Sequence, residues 1–376
     1  MFLRAAFSPS DLGRPPRLLL ALVASLFLAL APGGRAADPA EVALRASDPR
    51  FLYEGRIDGR DPAAPVLAWQ GSRVSIDFEG PLLVLAFTKA DGKNFLDVHV
   101  DGQVWVAAVA EGGPSRVVFP LPLSQGRHHL SLHKRQEAAG GSFAFGGIGI
   151  AQGSRAWAPR TPAYSLKMEF YGDSITAGAC DEDGPSDQWE DRRTHNGELS
   201  YAAVTGEAYH ADWRNISVSG IGIVTGWIPV VAGQTWDKLY PTADSPAADL
   251  SLWTPDVVCV NLGDNDADYP TAHGLPFPDG FDARYTELIR GIRRAYPKAE
   301  VVMLLGGMES GSQSVQLNAD WGRAVARLEA ADPRMHHLVF RHWTPSHPRV
   351  SDHRILADEL ITWLRGQDFM AKFVRP

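Results

Sequence analysis

Apolar and polar residues alternate along short segments in the first half of the chain. Residues 74–78 have the sequence VSIDF, and residues 96–100 have the sequence LDVHV. A period of two with one apolar face predicts half-buried β-strands. Because no helical period interrupts residues 51–150, we expect the strands to form an all-β, jelly-roll-like sandwich domain over residues 45–152.

A tight turn is predicted between two of these strands. The pair Asp101-Gly102 separates Val100 from Gln103, at the end of one alternating segment. A two-residue type I′ hairpin needs positive φ at both central positions, and Asp followed by Gly suits that requirement.

The pattern changes after residues 153–166, a segment with several prolines and small polar residues that we interpret as a linker. Beyond it, apolar runs typical of strands alternate with segments of helical period at residues 281–295, 315–331 and 351–366. This alternation predicts an α/β domain over residues 167–376, with a parallel sheet covered by helices on both faces. Sites in such domains lie beyond the carboxyl ends of the strands.

The first residues predict a targeting segment rather than part of the fold. Arg14 and Arg17 precede an apolar run at residues 18–31, and small residues with an A-x-A-like cleavage site follow before Asp38. The run is too short for a comfortable membrane span, which favours a cleaved signal peptide at residues 1–37 over a retained anchor. We therefore expect an exported protein, secreted or periplasmic, with no membrane attachment after cleavage.

Charge and cysteine content narrow the classes of partner. The formal net charge of −8 at pH 7 argues against nucleic acid or an anionic membrane as a partner, and a neutral or weakly charged substrate fits better. Cys180 and Cys259 are the only cysteines of the sequence, so no disulfide framework is predicted. The sequence leaves open whether these two form a bridge, and it also leaves the oligomeric state open.

Polar residues follow the predicted strands at four places along the α/β part. Ser174 lies in a Gly-Asp-Ser turn, Gly220 follows the second strand, Asn265 follows the third, and His347 precedes the last predicted helix. Ester hydrolysis needs a nucleophile, a base that accepts and returns its proton, and donors to the oxyanion of the tetrahedral intermediate. These residue types at one edge of a sheet therefore indicate a serine hydrolase.

The four ordered blocks resemble the signature blocks of the SGNH/GDSL hydrolases, with GDSIT at Ser174, NISVSG ending at Gly220, GDND at Asn265 and HP at His347. The sandwich-then-hydrolase order and the run HKRQEA at residues 133–138 are similar to carbohydrate esterase family 2. The resemblance implies a flavodoxin-like three-layer hydrolase domain in which Ser174 is the nucleophile and His347 the base. It also implies an oxyanion hole made of the backbone N–H groups of Ser174 and Gly220 and the side-chain amide of Asn265.

One residue of the SGNH pattern is absent. The family usually carries an Asp two or three residues before the catalytic histidine, and here those positions hold Pro345 and Thr344. We therefore expect a Ser–His dyad in which a main-chain oxygen orients His347, an arrangement that the resemblance to carbohydrate esterase family 2 allows. The alternatives are a carboxylate from elsewhere in the chain, such as Asp352, or a weakened enzyme.

No metal and no cofactor are predicted. Residues 264–268 carry alternating acids as a calcium loop does, but Tyr269 and Leu275 replace the glycine and glutamate that such a loop needs. The histidines of the carboxyl-terminal part lack the ligand spacing of a zinc motif. His342 and His353 are competing candidates for the catalytic base, each with the simpler interpretation of a loop or helix histidine.

Aromatic residues are frequent in the long inserts between the blocks. Trp189, Trp227 and Trp236 could stack on sugar rings in a substrate cleft, or they could anchor the inserts to the core. The sequence leaves both interpretations open.

The resemblance to carbohydrate esterase family 2, together with the predicted signal peptide, implies a secreted carbohydrate O-acetylesterase that removes acetyl groups from hemicellulose-type polysaccharides or oligosaccharides through an acyl-enzyme on Ser174. One alternative keeps the fold and changes the substrate to a lipid ester or thioester. Another is a glycan-binding protein with weakened esterase activity, because the expected Asp is absent. The sequence does not determine the sugar, the hydroxyl position or whether the sandwich binds glycan.

Overall fold

Two antiparallel sheets pack face to face in the first part of the computed structural model, which describes residues 40–120 and 122–373. The predicted signal peptide at residues 1–37 lies outside the described residues. One sheet has the strand order β3-β4-β11-β6-β9 with β1 paired to β11, and the other has the order β12-β5-β10-β7-β8 with β2 paired to β5. The strands are β1 (Glu41–Arg45), β2 (Leu52–Glu54), β3 (Ile57–Asp58), β4 (Val66–Leu67), β5 (Arg73–Glu79), β6 (Leu83–Gly92), β7 (Asn94–Val100), β8 (Gln103–Val109), β9 (Ser115–Val118), β10 (Arg127–Lys134), β11 (Gly141–Ala151) and β12 (Ala156–Trp157).

The predicted alternation forms the sandwich core. Val74, Ile76 and Phe78 of β5 are at most 1% exposed, and they pack in one cluster with Leu130 and Leu132 of β10. The predicted hairpin is confirmed as well, because Asp101 and Gly102 join β7 to β8 with φ values of 52° and 81°.

Five parallel strands in the order β14-β13-β15-β16-β17 form the sheet of the second part. This is the flavodoxin-like order, and its switch point lies between β13 and β15, where ligands of such sheets bind. The strands are β13 (Lys167–Gly172), β14 (Asp212–Ser217), β15 (Val257–Asn261), β16 (Glu300–Leu305) and β17 (Met335–Val339).

Helices cover this sheet, and the three predicted from periodicity are confirmed. Helices α5 and α7 have the predicted bounds, and α8 differs from them by one residue at each end. The helices are α1 (Ser174–Ala177), α2 (Tyr201–Ala208), α3 (Ala232–Thr235), α4 (Asp264–Ala272), α5 (Phe281–Ala295), α6 (Glu309–Gln313), α7 (Val315–Ala331) and α8 (Val350–Arg365), with short 3₁₀ turns at Ala138–Gly140, Arg192–Thr194, Leu250–Leu252 and Asp368–Met370. None of the helices in the described ranges is both long and apolar enough to cross a membrane.

The sandwich packs against the first two strands of the parallel sheet through buried polar groups. Arg56 donates hydrogen bonds to Glu169 Oε1 and to the Tyr171 hydroxyl, both at 3.0 Å. Gln70 Nε2 donates to Asn215 Oδ1 at 2.9 Å. Because a buried charge that loses its partner is costly, these contacts hold the sandwich in one position on the hydrolase part.

Two short strands lie near the predicted domain bounds. Strand β1 pairs with β11 from Glu41 onward, a few residues before the predicted start of the sandwich. Strand β12 lies inside the predicted linker and pairs with β5. The domain limits themselves stay predictions.

Candidate active site

The loop after β13 presents Ser174 at the carboxyl end of the parallel sheet. Ser174 is the first residue of α1, and the preceding Asp173 caps this helix because its Oδ1 accepts a hydrogen bond from the Ile175 N–H at 3.0 Å. Gly178 ends the helix with φ at 75°, a conformation that favours glycine. The turn therefore holds Ser174 in one orientation, and the residue is 6% exposed.

The loop after β14 carries Gly220, whose φ is 77°. Among the described residues, no acceptor forms a hydrogen bond with the backbone N–H of Ser174 or with that of Gly220. Backbone N–H groups without an acceptor are available to stabilise an oxyanion.

The carboxylate of Asp266 holds this loop in shape. It accepts hydrogen bonds from the N–H groups of Ile223, Val224 and Thr225 at 2.7, 2.7 and 3.0 Å. Burial raises the pKa of Asp266 to about 6, although the three N–H groups act in the opposite direction.

Asn265 lies in the first turn of α4 and is 6% exposed. Its side-chain amide donates to the Ile221 carbonyl at 2.9 Å and to Asp173 Oδ2 at 3.4 Å. These contacts tie the amide to both the Ser174 turn and the Gly220 loop.

His347 is oriented by a carboxylate, and the expectation of a main-chain oxygen was wrong. Its Nδ1 lies 2.6 Å from Oδ2 of Asp187, which is 160 residues earlier in the chain. Arg349 Nη2 lies 2.8 Å from Asp187 Oδ1 and holds the carboxylate from its other side. Burial alone would raise the pKa of Asp187, but His347 and Arg349 outweigh it and lower this pKa to about 2. The carboxylate therefore stays ionised beside the imidazole.

The alternative carboxylate and the competing histidines have other partners. Asp352 Oδ1 lies 2.8 Å from His342 Nε2, and Asp352 Oδ2 accepts from the Arg349 N–H at 2.9 Å. His353 is fully buried, and its Nδ1 accepts a hydrogen bond from the Tyr201 N–H at 3.2 Å. Burial lowers the pKa of His353 to about 3, so this ring is neutral.

A cavity of about 410 Å³ is lined by the four predicted residues Ser174, Gly220, Asn265 and His347. Both Ser174 and His347 line it, although among the described residues no hydrogen bond connects Ser174 Oγ with His347 Nε2. Catalytic hydrogen bonds are often long before the substrate binds. The remaining lining residues are Trp189, Ser219, Trp227, Ile228, Asp264, Asp268 and Met308.

Two of the three predicted cleft aromatics reach this cavity. The Trp189 ring stacks on His347 with centroids 5.7 Å apart, and Trp227 is 50% exposed at the rim, where its Nε1 donates to Asp268 Oδ2 at 2.9 Å. Trp236 does not line it, because its ring packs against Tyr171 and the core of the hydrolase part. Of the two interpretations that the sequence left open for Trp236, these contacts favour the anchor to the core.

Both parts of the chain match known protein families. The family described as GDSL-like Lipase/Acylhydrolase family matches residues 170–359, and the one described as Carbohydrate esterase 2 N-terminal matches residues 53–159. The chain belongs to carbohydrate esterase family 2 of the SGNH/GDSL hydrolases. It is thus a carboxylic ester hydrolase.

Named relatives of this family 2 esterase come from two bacteria. It is 29% identical over 331 residues to Cellulase/esterase CelE of Acetivibrio thermocellus. This match covers 85% of this chain and only 40% of the length of CelE. It is 26% identical over 339 residues to the Acetylxylan esterase / glucomannan deacetylase of Cellvibrio japonicus, with 84% and 89% covered. The solved structure of a family two carbohydrate esterase from Clostridium thermocellum in complex with cellohexaose has a TM-score of 0.74 at 28% identity and covers 84% of this chain and 98% of that one.

Sequence reasoning missed Asp187 and Arg349 of this family 2 esterase. Asp187 lies in an insert without helical or strand periodicity, so no local signal marks it. One weak signal was Arg349, two residues after His347, because arginine is well suited to pair with a carboxylate.

The two cysteines of the esterase are separate and buried. Cys259 lies within β15, and Cys180 Sγ lies 3.5 Å from His195 Nε2. Both thiols are free in this structure, and burial raises the pKa of each.

Proposed function

We propose that this protein is a secreted carbohydrate O-acetylesterase that works through an acyl-enzyme on Ser174. The observation that carries the proposal is the shared cavity, which brings together Ser174, His347 on its Asp187 carboxylate, and the unpaired N–H of Gly220. Each group has the chemical character that one step of ester hydrolysis needs.

In the first half-reaction, Ser174 Oγ attacks the acetyl carbonyl carbon while His347 Nε2 takes the hydroxyl proton. Asp187 holds the Nδ1–H and stabilises the imidazolium that forms. The carbonyl oxygen becomes an oxyanion that accepts hydrogen bonds from Ser174 N–H, Gly220 N–H and the Asn265 amide, which gives up its long 3.4 Å contact with Asp173 Oδ2 to donate to the oxyanion. The bond to the sugar oxygen then breaks, and His347 returns its proton to that oxygen.

In the second half-reaction, water replaces the sugar. His347 Nε2 takes a proton from this water as it attacks the acetyl carbon of the acyl-enzyme. The bond to Ser174 Oγ breaks, the serine regains the proton from His347, and acetate leaves. This sequence needs no redox partner, because every proton and electron pair moves between the substrate, water and the two side chains.

A carbohydrate leaving group is supported by the rim of the cavity and by the relatives. Trp227 is half exposed beside the cavity, and an aromatic face of this kind stacks well on a sugar ring. One of the two relatives carries a name that specifies acetylxylan and glucomannan, and the similar solved structure from Clostridium thermocellum holds cellohexaose. We extend this class of substrate, hemicellulose-type acetylated polysaccharides and oligosaccharides, to the present chain.

The test is acetate release from acetylated xylan, acetylated glucomannan and acetylated cello-oligosaccharides, with Ser174→Ala as the matched variant. We expect release by the wild type and a loss of at least about 10³-fold in Ser174→Ala, because that variant lacks the nucleophile. A wild type that binds these glycans without releasing acetate would instead support the glycan-binding alternative.

A second candidate is hydrolysis of longer acyl esters, because Ile228 and Met308 give the cavity an apolar side. Rates on p-nitrophenyl acetate and octanoate distinguish the two. We expect a decline from acetyl to octanoyl, and a rise would favour a lipid or thioester substrate.

Export is proposed from the signal peptide at residues 1–37. Mass spectrometry of the protein collected outside the cytoplasm tests it, since cleavage should leave Asp38 at or near the new amino terminus. An uncleaved chain in the cytoplasm would contradict the proposal.

A further inference from the structure

Two histidines lie side by side on the outer face of the second sandwich sheet. In the antiparallel pair of β7 and β10, His99 lies opposite Ser131 and His133 lies opposite Asp97, so the two histidines are diagonal neighbours. Their ring centroids are 4.5 Å apart. The alternation that buries Leu96, Val98, Leu130 and Leu132 in the core directs both imidazoles to the opposite face.

The hydrolase part covers this face and places a carboxylate between the two rings. Glu198 Oε2 lies 3.2 Å from His99 Nε2, and Glu198 Oε1 contacts His133 Nδ1. The Glu198 N–H donates to Asn196 Oδ1 at 3.0 Å, which fixes the backbone that carries the carboxylate. The three ligand atoms all lie within 4.8 Å of one another.

We propose that His99, His133 and Glu198 bind a divalent transition-metal ion, with zinc the best match, at a site separate from the cavity of Ser174. Two imidazole nitrogens and one carboxylate oxygen form a ligand set that zinc takes in proteins, with a fourth position for water. Ligand atoms of a tetrahedral zinc ion with bonds of about 2.0–2.1 Å lie roughly 3.3 Å apart, which is close to the separation of His99 Nε2 and Glu198 Oε2.

The hydrogen bonds of His133 support a bound cation. His133 Nδ1 is buried, and the Glu198 carboxylate is the only group it contacts among the described residues. The other ring nitrogen, Nε2, lies 2.7 Å from Ser131 Oγ, which in turn accepts a hydrogen bond from Ser75 Oγ at 2.9 Å. A hydrogen bond on the distal nitrogen fixes the ring and leaves the proximal nitrogen to a metal, as in most histidine ligands.

The surroundings suit an ion that enters from solvent. The His99 side chain is 31% exposed and opens the site to water, whereas the His133 side chain is 11% exposed. The nearby Asp97 carboxylate is occupied by Arg135 Nη1 at 2.8 Å, so it balances that guanidinium rather than the metal. A bound ion would link β7 and β10 of the sandwich to the hydrolase part.

The test is titration of zinc into the full-length protein after dialysis against a chelator, followed by isothermal calorimetry. We expect one equivalent bound by the wild type, and an affinity at least about tenfold weaker in His99→Ala and in His133→Ala. His336→Ala is the matched control, since His336 pairs with the carboxylate of Glu300 at 2.9 Å, and among the described residues no metal-binding group of three includes this pair. This variant should bind zinc as the wild type does.

A second measurement separates loss of a ligand from loss of folding. Zinc should raise the thermal unfolding temperature of the wild type and of His336→Ala, and leave that of a folded His133→Ala unchanged. Cobalt in place of zinc should give a visible absorption band that is absent in His133→Ala. A wild type that binds no zinc would overturn the proposal, and the triad would then be a hydrogen-bonded contact only.

One other group of residues competes for the ion. Cys180, Asp187 and His347 also have ligand atoms within 4.8 Å of one another, beside the active site. Zinc bound there would be lost in His347→Ala and kept in His133→Ala, and that pattern would overturn the proposal as well. We expect the first equivalent of zinc to be lost in His133→Ala and kept in His347→Ala. The esterase activity of His133→Ala should stay within about twofold of the wild type, because His133 does not line the cavity of Ser174.

Discussion

His347 Nδ1 lies 2.6 Å from Asp187 Oδ2, so this histidine has a carboxylate partner although Thr344 and Pro345 occupy the positions where the SGNH pattern carries an Asp. Arg349 holds the other oxygen of Asp187, and its Nη1 also donates to the His347 carbonyl at 2.7 Å. The contact thus joins an insert after the first parallel strand to the loop before the last helix. It replaces the Asp of the usual SGNH pattern in space rather than in sequence.

Asp187→Asn should lower kcat by about 10²–10⁴-fold, because the neutral amide neither stabilises the imidazolium nor enforces the same tautomer. Steady-state rates on an acetyl ester at neutral pH measure this effect. The matched control is Asp352→Asn, which should keep most of its activity because Asp352 pairs with His342. Full activity in Asp187→Asn together with a loss in Asp352→Asn would contradict the assignment.

Asn265→Ala should lower kcat by about 10²–10³-fold, which corresponds to about 2.7–4 kcal/mol of transition-state stabilisation. The amide donor is needed only once the oxyanion forms, so KM should change little. Because Asn265 Nδ2 also donates to the Ile221 carbonyl, the thermal stability of the variant must be measured alongside its steady-state rates. A large loss of stability with an unchanged kcat in the folded fraction would assign Asn265 a structural role instead.

Features that depend on residues close in sequence were predicted correctly, whereas contacts between residues far apart in the sequence were not. Helix α5 and the Asp101-Gly102 hairpin depend on side chains close in sequence, and both were predicted correctly. The Ser174 turn was predicted for the same reason. The contact of Asp187 with His347 spans 160 residues and depends on how an aperiodic insert folds. The position of Trp236 likewise depends on packing against Tyr171, which no local pattern encodes.

A buried carboxylate of the sandwich supports the active site indirectly. Glu137 Oε1 accepts a hydrogen bond from Arg192 Nη1, whose guanidinium lies 4.3 Å from the Trp189 ring centroid. Trp189 in turn stacks on His347. Glu137→Gln should therefore destabilise the fold by about 1.5–3 kcal/mol and also lower kcat in the folded protein, since Arg192 loses its charged partner.

The control for this positioning role is Glu79→Gln, which removes a carboxylate from the exposed Arg155 on the same sandwich. Its stability should change by about 0–1 kcal/mol, and its kcat should not change. The pH profile of kcat separates positioning from stability alone, because a displaced Trp189 alters the surroundings of His347. An unchanged profile in Glu137→Gln, measured well below its unfolding temperature, would leave only a structural role.

The buried His353 should make stability depend on pH. Burial lowers its pKa in the folded state to about 3 from an ordinary value of 6.5, and its Nδ1 is occupied by the Tyr201 N–H. Between pH 6.5 and pH 3 the unfolded chain therefore binds a proton at His353 that the folded chain does not bind. The contribution of His353 to the free energy of unfolding is complete above pH 6.5 and declines as the pH falls towards 3. The decline should be about 1.4 kcal/mol per pH unit within that window.

His353→Gln isolates this contribution, because glutamine has no proton to gain and its side-chain oxygen can accept the same N–H. Denaturant unfolding of the wild type and the variant from pH 8 to pH 4 should show a stability difference that shifts in favour of the variant as the pH falls below about 6.5. The comparison is needed because buried Asp264 and Asp266, with pKa values raised to about 6, act with the opposite sign and are present in both proteins. His342→Gln, at a half-buried position, serves as the histidine control. A constant difference between wild type and His353→Gln across the range would show that His353 can be protonated within the fold.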